Sequence, residues 1–151
     1  MITILAIGKK HEEWVNTGIE RYEKRLKRPF DIKWILLPHS SRDGLEARRS
    51  ESEMLLSRLT VRDVVILLDE VGTILDSPSL STLFTKQFVD AKNVIIIIGG
   101  AYGVDERIHT RANVTWSLSR LVFPHQLIRL LLVEQIYRSQ EIANGSSYHH
   151  I

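Results

Sequence analysis

Five short apolar runs organise this sequence, each closed by a turn residue and each followed by a stretch of different periodicity. Ile2–Ile7 ends at Gly8. Phe30, Ile32, Trp34 and Leu36 alternate with Asp31, Lys33 and Ile35 until Pro38. Val64–Leu68 stops at Asp69-Glu70-Val71-Gly72, Val94–Ile98 stops at Gly99-Gly100, and a fifth run lies around Val114–Leu118. Between these strands the apolar residues adopt helical spacing. Val15, Ile19, Tyr22 and Leu26 predict an amphipathic helix over about 11–27. A second helix is expected from Leu45 to Leu59. Ser77-Pro78, a side-chain cap followed by proline in the first turn, starts a third, whose apolar face is Leu80, Leu83, Phe84 and Phe88. A short helix near Asp105–Ala112 and a long one over Gln126–Ala143, before the C-capping pair Asn144-Gly145, complete the pattern. Three of the strands have little polar interruption, as strands covered on both faces do. The alternation, with no repeat or linker, predicts one α/β domain over residues 1–151, built on a parallel-rich sheet flanked by helices.

Composition narrows the chemistry. Of 151 residues 44% are hydrophobic and 25% charged, a balance that argues against wholesale disorder. With no cysteine there is no disulfide, thiolate metal site or cysteine nucleophile. No apolar run approaches the roughly 18 residues of a membrane span. The opening Met1-Ile2-Thr3-Ile4-Leu5 lacks the basic region and cleavage site of a signal peptide, so a cytoplasmic protein is expected. Residues 1–62 hold 13 Lys/Arg against 9 Asp/Glu, and residues 63–151 hold 7 against 9. The basic excess therefore lies in the first half, where Arg21, Lys24, Arg25 and Arg28 line one helix face with Lys27 beside them. Such a run is either a solvated face or a phosphate-binding one, and Arg42, Arg48 and Arg49 add to it.

In a parallel α/β sheet ligands lie beyond the carboxyl ends of the strands. Three segments stand there: Leu67-Leu68-Asp69-Glu70-Val71-Gly72, Ile98-Gly99-Gly100-Ala101-Tyr102-Gly103, and Leu118-Ser119-Arg120-Leu121-Val122-Phe123-Pro124-His125. The glycines permit close backbone approach, although neither a dinucleotide nor a P-loop fingerprint is present. The consecutive apolar residues Leu121, Val122 and Phe123 form an unusual connection, expected either in an interface or on the wall of an apolar pocket. The final helix is apolar nearly all round, through Leu127, Ile128, Leu130, Leu131, Leu132, Val133, Ile136 and Tyr137. This suggests that a second subunit covers one face. Glu134 and Arg138 are spaced to pair on it. His149-His150 is a poor metal site, because adjacent side chains diverge and no carboxylate cluster accompanies them. No metal is expected.

Taken together, the three segments, Glu134-Gln135-Ile136-Tyr137-Arg138 and the terminal Tyr148-His149 closely resemble one family over Ile4 to His149. It is the SPOUT class of small large-subunit ribosomal RNA methyltransferases, which methylate N3 of a pseudouridine. The resemblance implies a C-terminal deep trefoil knot, a homodimer, no membrane association, and an assembled ribosome as substrate. It also implies S-adenosylmethionine bound by Leu68, Gly100 and Leu118, Ser119, Arg120, Leu121, Val122, Phe123 and Pro124, with Gly99 and Gly103 shaping the turn. Catalytic roles fall to Tyr148, His149 and Arg138, the tail reaching the donor site from its own or the partner subunit. One departure from many relatives is His150, where a basic residue often follows the terminal Tyr-His. Two other readings remain open on the residues: a non-catalytic RNA- or nucleotide-binding knotted dimer, and a flavodoxin-like small-ligand domain.

Overall fold

The computed structural model describes residues 1–90 and 92–150. In chain order the elements are β1 (Ile2–Ile7), α1 (Glu13–Glu23), β2 (Ile32–Leu37), α2 (Gly44–Leu56), β3 (Val64–Ile74), α3 (Ser77–Val89), β4 (Val94–Ile98), α4 (Glu106–Arg111), β5 (Val114–Ser117) and α5 (His125–Ala143). The five strands form one sheet in the order β2-β1-β4-β3-β5, and every pairing is parallel. Flavodoxin-like sheets run 2-1-3-4-5. Here β4 is inserted between β1 and β3, which alternation along the chain does not reveal.

The sheet is covered on both faces, which explains the continuous apolar runs. Val94, Ile96 and Ile98 of β4 join Ile4, Ile66, Phe84, Leu132 and Ile136 beneath α3 and α5. The intervening Ile95 and Ile97 join Leu5, Val65, Leu67, Leu55 and Ile108 beneath α2 and α4. Successive strand residues point to opposite faces, so a strand buried twice has no polar position to spare. α1 packs on α5 through Val15, Ile19 and Val133.

Three sequence expectations need correction. The first helix is shorter than 11–27, because its chain turns at Lys24 and Arg25 while Tyr22 and Leu26 still pack inward. β3 does not stop at Asp69. Leu68 and Thr73 both lie in register with Trp116, so residues 69–72 loop out and the strand then resumes. Polar and glycine residues mark a bulge as readily as an end. A Cβ on Gly72 would fall 2.6 Å from the Trp116 carbonyl carbon, so the rejoining strand requires glycine here. The α3 cap is Asp76, whose carboxylate accepts from Ser79 N at 2.8 Å, and Ser77 is already helical. Leu121 and Val122, expected in an interface or on a pocket wall, are 70% and 79% exposed and line a cavity.

Candidate active site

A cavity of about 230 Å³ opens at the carboxyl ends of β3, β4 and β5. Its walls come from Leu67 to Glu70, from the turn after β4, and from the connection after β5, with His125 and Ile128 of α5 closing one side. Of the residues expected to hold a ligand, Leu68, Gly99, Gly100, Gly103, Leu118, Ser119, Leu121, Val122 and Phe123 line it. Arg120 and Pro124 do not. Arg120 points to solvent, and Pro124 is the residue from which α5 springs. Val104, Ser117 and Ile128 also line the cavity and were not singled out in the sequence. Ile128 is one turn beyond His125, and its apolar neighbours in α5 hid any distinct role.

The connection after β5 is held by its serines. Ser117 Oγ donates to Ser119 O at 2.8 Å, and Ser119 Oγ accepts from Leu121 N at 3.0 Å. The amides of Val122 and Phe123 have no protein partner among the described residues. Apolar side chains and free amides on one short loop suit a flat heteroaromatic ring with a polar edge. Across the cavity Asp69 Oδ1 accepts from Val71 N at 3.0 Å, while Oδ2 lies 3.8 Å from His109 Nε2.

The glycines act differently from one another. Gly103, at φ 72°, closes the turn by donating to Gly100 O at 3.0 Å. Gly100 lines the cavity with its backbone, but a Cβ there would run into the Glu51 carboxylate behind it. Glu51 is 3% exposed. Its Oε1 accepts from Ser40 N at 2.9 Å, and its Oε2 is buried without a partner. Neighbouring residues of α2 brace the same turn. Arg48 Nε donates to Tyr102 O at 2.7 Å, and Ser52 Oγ accepts from Asp105 N at 2.9 Å.

Tyr148, His149 and Arg138 are brought together, but not at the cavity. Arg138 donates from Nε and Nη2 to Glu134 Oε1 at 3.0 and 2.6 Å, and Tyr148 Oη donates to the same oxygen at 3.1 Å. His149 Nδ1 lies 3.2 Å from Arg138 Nη1. Burial, followed by the Glu134 carboxylate, pushes the Tyr148 phenol up to about 12, so it stays a proton donor. From Ile128 on the cavity wall to Arg138 is ten residues, about 15 Å of helical rise. The tail therefore rests on α5, and none of its described residues lines the cavity of its own chain.

The basic run, which helix periodicity placed on one face, leaves α1 after Arg21, and the turn beyond the helix meets this tail surface. Arg25 stacks over the Tyr137 ring at 4.2 Å, and Tyr137 meets Tyr148 edge-on at 4.9 Å. Gln140 joins the two elements, accepting from Lys27 N at 2.7 Å and donating to Arg25 O at 3.1 Å. Two separate sequence features thus form one cationic, aromatic patch.

Residues 1–149 match the family described as predicted SPOUT methyltransferases. The chain is 38% identical over 151 residues to a Geotalea daltonii protein named ribosomal RNA large subunit methyltransferase H, covering 99% of each. It is 35% identical over 152 residues to a Marinomonas protein of that name, covering 98% of each. A solved probable methylase family protein from Haemophilus influenzae superimposes with a TM-score of 0.54 at 11% identity, over 99% of this chain and 70% of the other.

Proposed function

The chain belongs to the SPOUT methyltransferase family, and from that membership we propose that it methylates N3 of a pseudouridine in large-subunit rRNA, acting as a homodimer on the assembled ribosome. It is an S-adenosylmethionine-dependent rRNA methyltransferase. The observation that carries the site assignment is the connection after β5. Leu121, Val122 and Phe123 put apolar side chains on the cavity wall, and the last two leave free amides beside it. An adenine ring fits that combination. The trefoil threading of this connection and α5 belongs to the same proposal, supported by α5 packing against both α1 and α3.

When bound, S-adenosylmethionine supplies an already activated sulfonium methyl, so the protein's task is alignment. Well-aligned reactants account for roughly 7–11 kcal/mol of a barrier. Asp69 and Glu70 put carboxylates on the wall of the donor site. Tyr148 and His149 orient the acceptor base. With Arg138 donating to His149 Nδ1, the remaining ring proton sits on Nε2, which is then a donor to a base carbonyl. The tail acts on the partner's cavity, a reading supported by the absence of its described residues from its own. The half-buried Leu127 and Leu131, on the same side of α5 as Glu134 and Arg138, offer the second copy an apolar face.

Two variants test this together. Phe123→Asp puts a charge on the apolar wall of the donor cavity, and truncation after Ser147 removes the tail. Each homodimer alone transfers no methyl to ribosomes lacking the modification, whereas a mixture that exchanges subunits regains activity. Active truncated homodimers, or an inactive mixture with demonstrated subunit exchange, refute the arrangement.

A further inference from the structure

Beside the donor cavity lies a loop whose support is out of proportion to its length. It joins β1 to α1 through Gly8, Lys9, Lys10, His11 and Glu12. Because β1 pairs with β4, Ala6 lies in register with Ile98. The loop therefore leaves the sheet next to the Gly99-Gly100 turn, and Ile7 Cγ2 is 3.2 Å from where a Gly100 Cβ would be.

Two side chains of α5 hold this loop by its backbone. Arg129 donates from Nη2 to Ile7 O at 2.9 Å and Gly8 O at 3.3 Å, and from Nη1 to Lys10 O at 3.0 Å. Gln126 accepts from Glu12 N at 2.9 Å and donates to Lys10 O at 3.3 Å. Arg129 is only 1% exposed and has no carboxylate ion-pair partner among the described residues. Gly8, at φ 121°, admits it, since a Cβ there would lie 2.7 Å from Nη2. A buried guanidinium is costly unless its donors are used. Here they fix one short loop.

What the loop presents is charge. Lys9 and Lys10 are exposed and enter no ion pair among the described residues. The loop's one carboxylate, Glu12, is engaged by the Trp14 indole N–H at 2.6 Å. His39, 64% exposed in its side chain, stands on the other side of Gly8. Two lysines on a clamped backbone, over an unpaired buried cation and next to the donor cavity, make a rigid anion grip.

We propose that Lys9 and Lys10 hold phosphodiester oxygens of the acceptor RNA strand beside the donor cavity, and that Arg129 is the positioning residue that fixes their loop. This rests on the methyltransferase reading above. It adds an RNA contact distinct from that of Tyr148 and His149.

The test compares wild type, a Lys9→Gln/Lys10→Gln variant, and a Lys33→Gln/Lys92→Gln control that removes equal charge elsewhere. Each is titrated with unmodified ribosomes over a range of salt concentrations, and donor affinity is measured by calorimetry. For the loop variant we expect KM for ribosomes to rise on the order of tenfold and the salt slope to fall by about 1 per lysine. Donor affinity and kcat should hold. Arg129→Lys should raise KM in the same way while its melting shows the fold retained. A loop variant with the control's KM and salt slope overturns the grip while leaving the methyltransferase reading intact. Absence of transfer by wild type overturns both.

Discussion

Gly100→Ala is the substitution whose consequence the structure fixes most tightly. The added methyl would fall on Glu51 Oε2 and lie 3.2 Å from both Glu51 Cδ and Ile7 Cγ2. The carboxylate has little room to retreat, being 3% exposed and held by Ser40 N at 2.9 Å. Overpacking a tight interior costs about 1–3 kcal/mol. Losing a hydrogen bond to a charged group adds about 1.5–3 kcal/mol where the carboxylate is pushed off Ser40. We therefore expect about 2.5–6 kcal/mol of destabilisation, with weakened donor binding because the turn must shift. Glu51→Ala removes the obstruction at its own cost of about 1–3 kcal/mol. The double variant should then be at least about 1 kcal/mol more stable than the summed single effects predict. Urea unfolding at one fixed protein concentration reads the cycle, and calorimetry reads the donor affinity. Additivity within about 0.5 kcal/mol would refute the claim that Glu51 is why position 100 must be glycine.

Further expectations follow from other contacts. Gly72→Ala places a methyl against the Thr115 and Trp116 backbone, where no side chain can yield, so it should destabilise by about 2 kcal/mol or more and detach the end of β3 in hydrogen exchange. Truncation after Ser147 should leave donor binding within about twofold, because the tail's role is to orient the acceptor base and none of its described residues lines the cavity of its own chain; a large loss of affinity would contradict this. His125 and His11 both have their pKa lowered from the ordinary 6.5, chiefly by burial and then by Arg129. Below 6.5 the unfolded chain takes up these protons first, so stability should be full above about pH 6.5 and decline as the pH falls through the lower folded-state values. His125→Asn should flatten that decline in denaturant midpoints measured from pH 7 to 5. Glu134→Gln removes the carboxylate that Tyr148 Oη donates to, so the phenol should titrate closer to 10 in ultraviolet difference spectra taken against Tyr148→Phe.

Local patterning in the sequence determined the element types, their order and the parallel, doubly covered sheet, because strand and helix periodicities are set by neighbours a few residues apart. The three strand-end segments were legible for the same reason: glycines and acids after buried runs mark where a backbone can meet a ligand. The strand order, the resumption of β3 after its bulge, and the separation of the tail from its own cavity were not. Each depends on pairings between distant residues, such as Thr73 with Trp116. Glu51 and Arg129 make the contrast plainest. In sequence both read as ordinary charged helix positions, with nothing nearby to set them apart. Only the packed fold buries them, one against Gly100 and the other against the carbonyls of Ile7, Gly8 and Lys10. Burial belongs to what surrounds a residue in space, and for these two the surroundings come from segments some fifty to a hundred and twenty residues away.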